Sequence, residues 1–304
     1  MRKRQFTYAV LVLLSWGLQG CDKEPENRGP RVGAKPLNEG VPVYRLAVHP
    51  LHNPAKLMQA YQPLVEYLNS RINGVRFDLE ASRDYANFEE KFRQRKPEFL
   101  LPNPWQTLEA MKVGYRVVAM AGEAQDFKGI FVVRRDSKLV HPADLRGRSV
   151  SYPSPTALAA CIMPQYFLHG YGIHIQTELD NRYVGSQESS IMNAYLGQTA
   201  AGATWPPPWR AFQKEHPKEA AELKVIWETE SLINNSVMVR DDVAPELAQQ
   251  VRTLLLGLAE TAQGKAILAG METARFLAAS DADYDVVRQY VARFEREVRR
   301  VEEK

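Results

Sequence analysis

The sequence predicts an α/β fold with two lobes, each a mostly parallel sheet with flanking helices. Segments rich in strand-forming residues alternate along the chain with segments whose apolar residues recur at helical spacing, which is typical of parallel sheets covered by helices. The chain has 304 residues, enough for two such domains. Its content of 45% hydrophobic and 25% charged residues is that of an ordinary globular protein.

The alternation of predicted strands and helices begins after residue 40. Strands are predicted at 43–48, 75–80, 98–101 and 115–121, and helices at 54–72, 85–94 and 104–112. Phe88 and Phe92 lie four residues apart, as the buried face of a helix requires. Pro104 suits the first turn of its helix, where a missing N–H costs nothing.

The second part continues the same pattern to the C-terminus. Strands are predicted at 129–134, 149–152, 183–184, 200–204, 224–228 and 236–240, a helical turn at 142–145, and helices at 156–171, 187–196, 244–259, 261–270 and 283–302. At 206–208 three prolines follow a strand, and we expect them to form a rigid platform there.

The N-terminus resembles a bacterial lipoprotein signal peptide. A basic start, Arg2 to Arg4, precedes an apolar run at 6–16 and the sequence Leu18-Gln19-Gly20-Cys21. The resemblance implies a signal peptide at 1–20, lipid attachment at Cys21 and a flexible tether at 21–40. A plain secretory signal and a short anchor helix are the alternatives.

Charge and cysteine content exclude other classes. Without residues 1–20 the formal charge falls from +3 to zero, because three cations and no acidic side chain are lost. A neutral chain lacks the basic surface that nucleic-acid binding requires. With Cys21 lipidated, Cys161 has no partner for an internal disulfide, so it is either a small buried residue or a thiol that faces a ligand.

One ordered set of residues resembles the solute-binding proteins of phosphate, phosphite and phosphonate ABC transporters. The set comprises Asp84, Tyr85, Asp136, Ser137, Asp144, Leu145, Gly147, Gly185, Ser186 and the segment 281–290. It spans about residues 43–294. The resemblance implies a type II periplasmic-binding fold, with lobe 1 at 41–134 plus 231–304, lobe 2 at 135–230 and two crossover strands near 130–140 and 225–235. Ligand would lie between the lobes.

The turn at 151–157 is a candidate for part of the ligand site. Ser154 or Thr156 can cap the following helix, and its first amides can hold an anion or polar group; a purely structural cap is the alternative. The resemblance implies a hydroxyl-rich run here, yet Ala157 and the next three residues carry no hydroxyl. Tyr85 is retained, while Gln187 replaces a histidine. Tight binding of a phosphonate dianion is therefore not expected.

Aromatic and amide side chains take the place of those hydroxyls. The candidate ligand-binding residues are Tyr85, Asn103, Trp105, Gln106, Ser154, Thr156, Ala157, Gln187, Trp205 and His52. They suit a small polar, weakly charged or planar ligand, although each tryptophan is also compatible with a core position.

No catalytic or cofactor motif is present in the sequence. It contains no G-x-S-x-G, Walker loop, H-E-x-x-H or Gly-rich dinucleotide turn, and His49 and His52 alone are a weak indication of metal. We therefore expect no enzyme activity, no cofactor and no metal.

The resulting hypothesis is a monomeric solute-binding protein, lipid-anchored on the periplasmic side of the cell envelope, that delivers a small ligand to an ABC permease. The alternative is a ligand sensor that acts with a membrane histidine kinase, for example in arsenite sensing through Cys161. A lipoprotein scaffold that has lost ligand binding is a third option.

Overall fold

A computed structural model describes residues 40–302 of the chain. The predicted signal peptide, Cys21 and all of the predicted tether except residue 40 lie outside the described residues. Within them, two β-sheets carry helices on their faces, so the α/β class with two sheets is confirmed.

The strands agree with the sequence-based pattern, except that the strand at Asp180–Tyr183 ends at residue 183, where its predicted range of 183–184 begins, and that the strand at Phe276–Leu277 was not predicted. In chain order they are β1 (Val43–Val48), β2 (Arg76–Glu80), β3 (Phe99–Leu101), β4 (Tyr115–Ala121), β5 (Ile130–Arg134), β6 (Ser149–Tyr152), β7 (Asp180–Tyr183), β8 (Ala201–Thr204), β9 (Leu223–Glu228), β10 (Ser236–Arg240) and β11 (Phe276–Leu277). The first sheet has the order β11-β4-β10-β3-β1-β2, and the second has the order β7-β6-β8-β5-β9.

Most strands of each sheet run in one direction, as predicted, but each sheet also contains antiparallel pairs. β1 is parallel to β2 and β3, and β6 is parallel to β7 and β8. β10 and β5 run antiparallel to their neighbours. The chain reaches each of these two strands directly from the opposite sheet. Each strand therefore begins beside the carboxyl ends of its neighbours and runs in the opposite direction to them.

The chain passes between the sheets twice. It leaves the first sheet at residue 121 and enters the second at 130, and it returns between 228 and 236. β5 therefore belongs to the second sheet, although the range predicted for lobe 1 extends to 134.

Helices connect most of the strands. They are α1 (Pro54–Arg71), α2 (Tyr85–Arg93), α3 (Pro104–Met111), α4 (Met163–Gly170), α5 (Ile175–Glu178), α6 (Gln187–Tyr195), α7 (Pro206–Glu215), α8 (Pro217–Ala221), α9 (Pro245–Leu256), α10 (Ala262–Gly270) and α11 (Asp285–Glu297). Side-chain caps fix several starts: Asn53 accepts from Lys56 N, Asp84 from Asn87 N, and Ser186 from Ser189 N.

Two helix starts differ from expectation. The three prolines at 206–208 form the first turn of α7 instead of a separate platform, because a helix start needs no N–H from these positions. The helical segment after β6 begins later than predicted, as a π-helical turn at Leu158–Ile162 that continues into α4. Ala157 occupies its N-cap position without a side-chain bond, so neither Ser154 nor Thr156 caps it.

The C-terminal residues connect α11 with the helix that follows β6. The buried Arg299 guanidinium donates to Pro155 O at 3.1 Å and to Gln165 Oε1 at 2.8 Å. Tyr166 OH donates to Glu297 Oε2 at 2.8 Å. The end of the chain, including α11, thus contacts the helix beside the second sheet, and α11 also packs on α3.

In the part of the chain from residue 40 to 302, no helix is both long and apolar enough to cross a bilayer.

Candidate functional site

A small cavity lies where strand ends from both sheets come together. Its lining residues are His49, Tyr85, Asn103, Phe127, Ala157, Leu158, Ala159, Ala160, Gln187, Trp205 and Asn235. His49 follows the carboxyl end of β1, and Trp205 follows that of β8. In open α/β sheets this edge is where ligands bind, so the cavity is the candidate functional site.

The cavity is closed and very small. Each lining residue is at most 5% exposed, and the volume is about 10 Å³. That space accommodates about one water molecule. Any larger solute requires the elements around the cavity to separate before it can enter.

The helix start at 157–160 supplies backbone rather than side-chain polarity. Ala157 N donates to Ser154 O at 3.2 Å. The next amides are the first of the helical segment, which have no intrahelical acceptor and carry partial positive charge. Since the side chains are methyl groups and one isobutyl group, the helix start can receive a polar or singly negative group only through its backbone.

A hydrogen-bond chain crosses the cavity from one sheet to the other. Gln187 Nε2 donates to Tyr85 OH at 3.1 Å, and Thr204 Oγ1 donates to Gln187 Oε1 at 2.8 Å. Because the Tyr85 oxygen accepts from Gln187, its own proton remains available. Burial raises the pKa of Tyr85 above its usual value, so the phenol keeps this proton.

His49 presents an uncharged imidazole to the cavity. Its Nδ1 lies 3.0 Å from Leu101 O and donates to that carbonyl. Burial lowers the pKa of His49 to about 4, so the ring is neutral near pH 7. Nε2 therefore carries no proton and is a hydrogen-bond acceptor.

A buried hydrogen-bond network beside the cavity joins the helices of the first sheet to the turn after β6. Glu89 Oε1 accepts from Thr156 Oγ1 at 2.6 Å and from Gln106 Nε2 at 3.0 Å. Asn103 Nδ2 donates to Thr156 O at 3.1 Å. Ser154 Oγ lies 3.0 Å from Thr156 Oγ1. These bonds connect the two sides of the cavity.

Burial raises the pKa of Glu89, and this makes stability depend on pH. The folded protein binds the Glu89 proton more tightly than the unfolded chain does. The Glu89 contribution is therefore fully present below the unfolded pKa, near 4.5, and is lost as pH rises through the raised value.

We expect Glu89→Gln to remove this pH dependence. The amide keeps an oxygen for Thr156 and Gln106 but carries no charge to bury, so the variant should melt at a higher temperature than the wild type at neutral pH. Melting temperatures measured from about pH 4 to pH 8 test this. Parallel curves for variant and wild type would contradict it. Glu90→Gln, an exposed neighbour, is the control.

Aromatic rings form one wall of the cavity. The rings of Phe127 and Trp205 are 5.5 Å apart at an interplanar angle of 57°. Trp205 is 5% exposed, so its environment would change when the cavity opens or fills.

The structure brings part of the predicted ligand set to the cavity. Tyr85, Asn103, Ala157, Gln187 and Trp205 line it. The others are buried but are not among the lining residues: Trp105, Gln106, Ser154, Thr156 and His52. Gln106, Ser154 and Thr156 belong to the Glu89 network, and burial lowers the pKa of His52 to about 3.

Three polar or aromatic lining residues were not in the predicted set. His49 directly follows β1, and this position is a better signal than that of His52, three residues further on. Asn235 directly precedes β10, and Phe127 lies on the passage from β4 to β5. Both come from the segments that connect the two sheets. The rule used to predict site residues considers only the carboxyl ends of parallel strands, so it does not include these segments.

Cys161 lies behind the cavity wall. Its side chain is fully buried, with Sγ 3.5 Å from Arg299 Nη2. Burial raises the pKa of the Cys161 thiol to about 12, which leaves it protonated and a poor nucleophile. Within residues 40–302 no three His, Cys, Asp or Glu side chains are grouped so that they could hold a metal.

Comparison with known proteins identifies the family. A family model described as "ABC transporter, phosphonate, periplasmic substrate-binding protein" matches residues 46–284. A probable ABC transporter phosphite-binding protein of Prochlorococcus marinus is 23% identical over 181 residues, which are 55% of this chain and 61% of that protein. The chain thus spans about three-fifths of the length of this relative.

Solved structures show the same fold. A binding protein component of an ABC phosphonate transporter from Pseudomonas aeruginosa has a TM-score of 0.78 at 17% identity, covering 84% of this chain and 87% of the other. A Prochlorococcus marinus protein in complex with methylphosphonate has a TM-score of 0.76 at 18% identity, covering 83% and 98%. The chain, with a type II periplasmic-binding fold, belongs to the periplasmic substrate-binding proteins of phosphonate-type ABC transporters, a family of binding proteins and not of enzymes.

Proposed function

We propose that this chain captures a small polar or oxyanion-like solute in the cavity between the two sheets and delivers it to an ABC permease. The observation that carries the proposal is the cavity itself, which is lined from both sheets and closed by hydrogen bonds that cross between them. Such cross-bonds stabilise a closed form around whatever the cavity holds, and closure is what a permease can recognise.

The ligand differs in charge from a phosphonate dianion. The cavity lining contains no Lys, Arg, Asp or Glu side chain. The hydroxyls of Ser154 and Thr156 are bonded to each other, and Thr156 also donates to Glu89. A buried dianion would lack a cation and side-chain hydroxyls, at a cost of several kcal/mol.

We also propose the division into two lobes that closure requires. Lobe 1 contains the first sheet and lobe 2 the second, with hinges in the two passages at 122–129 and 229–235. The boundary moves from 134 to about 129 because β5 lies in the second sheet. The two separate sheets support this division.

Ligand binding should raise the melting temperature. At a concentration of about 100 Kd, a ligand stabilises the folded state by about 2.7 kcal/mol, which for a chain of this size is roughly 5 °C. A thermal-shift screen with methylphosphonate, phosphite, phosphate, sulfonates, amino acids and small amides tests this. For any solute that scores, Trp205→Leu should reduce the shift while Trp209→Leu, outside the cavity lining, should not. A screen in which no solute raises the melting temperature would count against solute capture.

For location, we propose a lipid anchor at Cys21 and a tether at 21–40 that hold a monomer at the periplasmic side of the envelope. The lipoprotein-like N-terminal sequence supports this. Labelling with a radioactive fatty acid tests it, since Cys21→Ala should remove the label.

The alternative of a sensor that acts with a histidine kinase rests on the same cavity. Its arsenite version has less support, because Cys161 is fully buried and is not among the lining residues. Neighbouring genes for a permease and an ATPase favour transport, and genes for a kinase and a regulator favour sensing.

A further inference from the structure

One side chain of the cavity lining carries a hydrogen-bond acceptor that has no partner in the described part of the chain. Asn235 is 4% exposed, and its side-chain Oδ1 has no hydrogen-bond partner within residues 40–302. Its backbone is held on both sides: Asn235 N donates to Asn234 Oδ1 at 2.8 Å, and Asn235 O accepts from Ala121 N at 2.7 Å. Buried polar atoms are rarely left without a partner, so this oxygen calls for a donor from outside the chain.

His49 adds a second acceptor. Because Nδ1 donates to Leu101 O, the unprotonated Nε2 is the nitrogen left for a ligand. It can receive a hydrogen bond but cannot donate one. The acceptors therefore come from residues next to β1 and β10, which both belong to the first sheet.

Donors come from the opposite side and from Tyr85. The first amides of the helical segment at 158–162 belong to the second-sheet half, and Tyr85 retains its phenolic proton. Together they can hold one negatively charged oxygen. No lining side chain supplies a cation for a second charge.

We propose, on the basis of the solute-capture function above, that Asn235 and His49 select a tetrahedral oxyacid in its singly protonated form over the fully ionised dianion. The remaining O–H of the acid donates to Asn235 Oδ1 or His49 Nε2, and its charged oxygen lies at the helix start. A dianion has acceptors only, so it would set a lone pair against that of His49 Nε2 and leave Asn235 Oδ1 without a donor.

Two probes of the same shape separate these forms. Methylphosphonate loses its last O–H proton near neutral pH, whereas methanesulfonate is singly charged without an O–H throughout. By calorimetry between about pH 6 and pH 9, methylphosphonate should bind about tenfold more weakly for each pH unit above its second ionisation. Methanesulfonate affinity should stay constant and, at about pH 6, be roughly tenfold to hundredfold weaker than that of methylphosphonate, because it leaves an acceptor unpaired.

Methanesulfonate also reports on titration of the protein. The titratable and charged groups around the cavity are His49, His52, Lys56, Tyr85, Glu89 and Cys161, with Arg93 and Glu302 beside Glu89 and Arg299 beside Cys161. A change in any of them would alter the affinity of both probes. If the affinity changes with pH for methylphosphonate and not for methanesulfonate, the change is caused by ionisation of the ligand.

Asn235→Leu removes one of the two acceptors and leaves His49 Nε2. It should reduce the ratio of the two probe affinities at pH 6 by about threefold or more, whereas Asn73→Leu on the exposed surface should leave the ratio unchanged. If Asn235→Leu does not fold, the wild-type pH profiles decide.

Other results overturn the proposal. They are methylphosphonate affinity that is constant or rises with pH, equal affinity for the two probes, or binding of neither probe while another solute scores in the thermal-shift screen. These results would contradict the selection of a protonated acid but would leave the proposal of solute capture intact. Only failure of every solute in the screen would remove solute capture as well.

Discussion

Replacing Arg299 by leucine should lower the free energy of unfolding by about 3–5 kcal/mol, which is a large effect for one residue. The side chain is 5% exposed, and its guanidinium donates to Pro155 O, Gln165 Oε1 and Val301 O at 2.8–3.1 Å. Each such bond from a charged donor contributes about 1.5–3 kcal/mol, offset in part by the cost of burying the charge. Leucine fills the space but leaves three buried oxygens without this donor.

Urea unfolding curves measure this loss. Arg300 is the neighbouring residue and is exposed, so Arg300→Leu should change stability by no more than about 0.5 kcal/mol. Similar midpoints for the two variants would show that the C-terminal contacts contribute little. A second effect should accompany the first. Without Arg299, the contacts between the chain end and the helix that contains Cys161 are weaker, so Cys161 should react faster with thiol reagents.

Gly129→Ala should cost about 1–3 kcal/mol and also weaken ligand binding. A Cβ at Gly129 would lie 2.5 Å from Ala159 O and 2.8 Å from the Pro164 ring, closer than packed atoms allow. Since Ala159 O is backbone, relief requires a shift of the helix start that lines the cavity. Stability and affinity should therefore fall together.

Gly170 provides the control, because it lies at the far end of the helix whose start contacts Gly129. A Cβ at Gly170 would meet no heavy atom within 4 Å, and the φ angle of this residue is not positive. Gly170→Ala should change stability by no more than about 0.5 kcal/mol and should leave ligand affinity unchanged. If Gly129→Ala behaved in the same way, the close contact between residue 129 and the helix start would not be needed.

The sequence was informative about elements that are determined locally. The spacing of Phe88 and Phe92 and the position of Pro104 mark helices that the structure contains at Tyr85–Arg93 and Pro104–Met111. The prediction for the prolines at 206–208 was wrong because proline, with its fixed φ and missing N–H, suits both a first helical turn and an extended rigid segment.

Features that depend on distant parts of the chain were not visible. The Glu89–Thr156 bond joins residues 67 positions apart, so a threonine placed before a helix looked like a cap or a ligand residue. Asn235 and His49 come together only because β10 enters the first sheet next to β3 and β3 pairs with β1. Pairing of this kind is set by the order of strands, which local periodicity does not specify.

The size of the cavity has a kinetic consequence. A chamber that holds one water molecule and is surrounded by residues at most 5% exposed cannot admit a solute while it stays shut. In the proposed capture, a solute first meets an open form and the cavity then closes, so the observed rate of association should level off at high solute concentration. Escape likewise waits for reopening, and residence time is then governed by the frequency of that motion more than by the strength of any one contact.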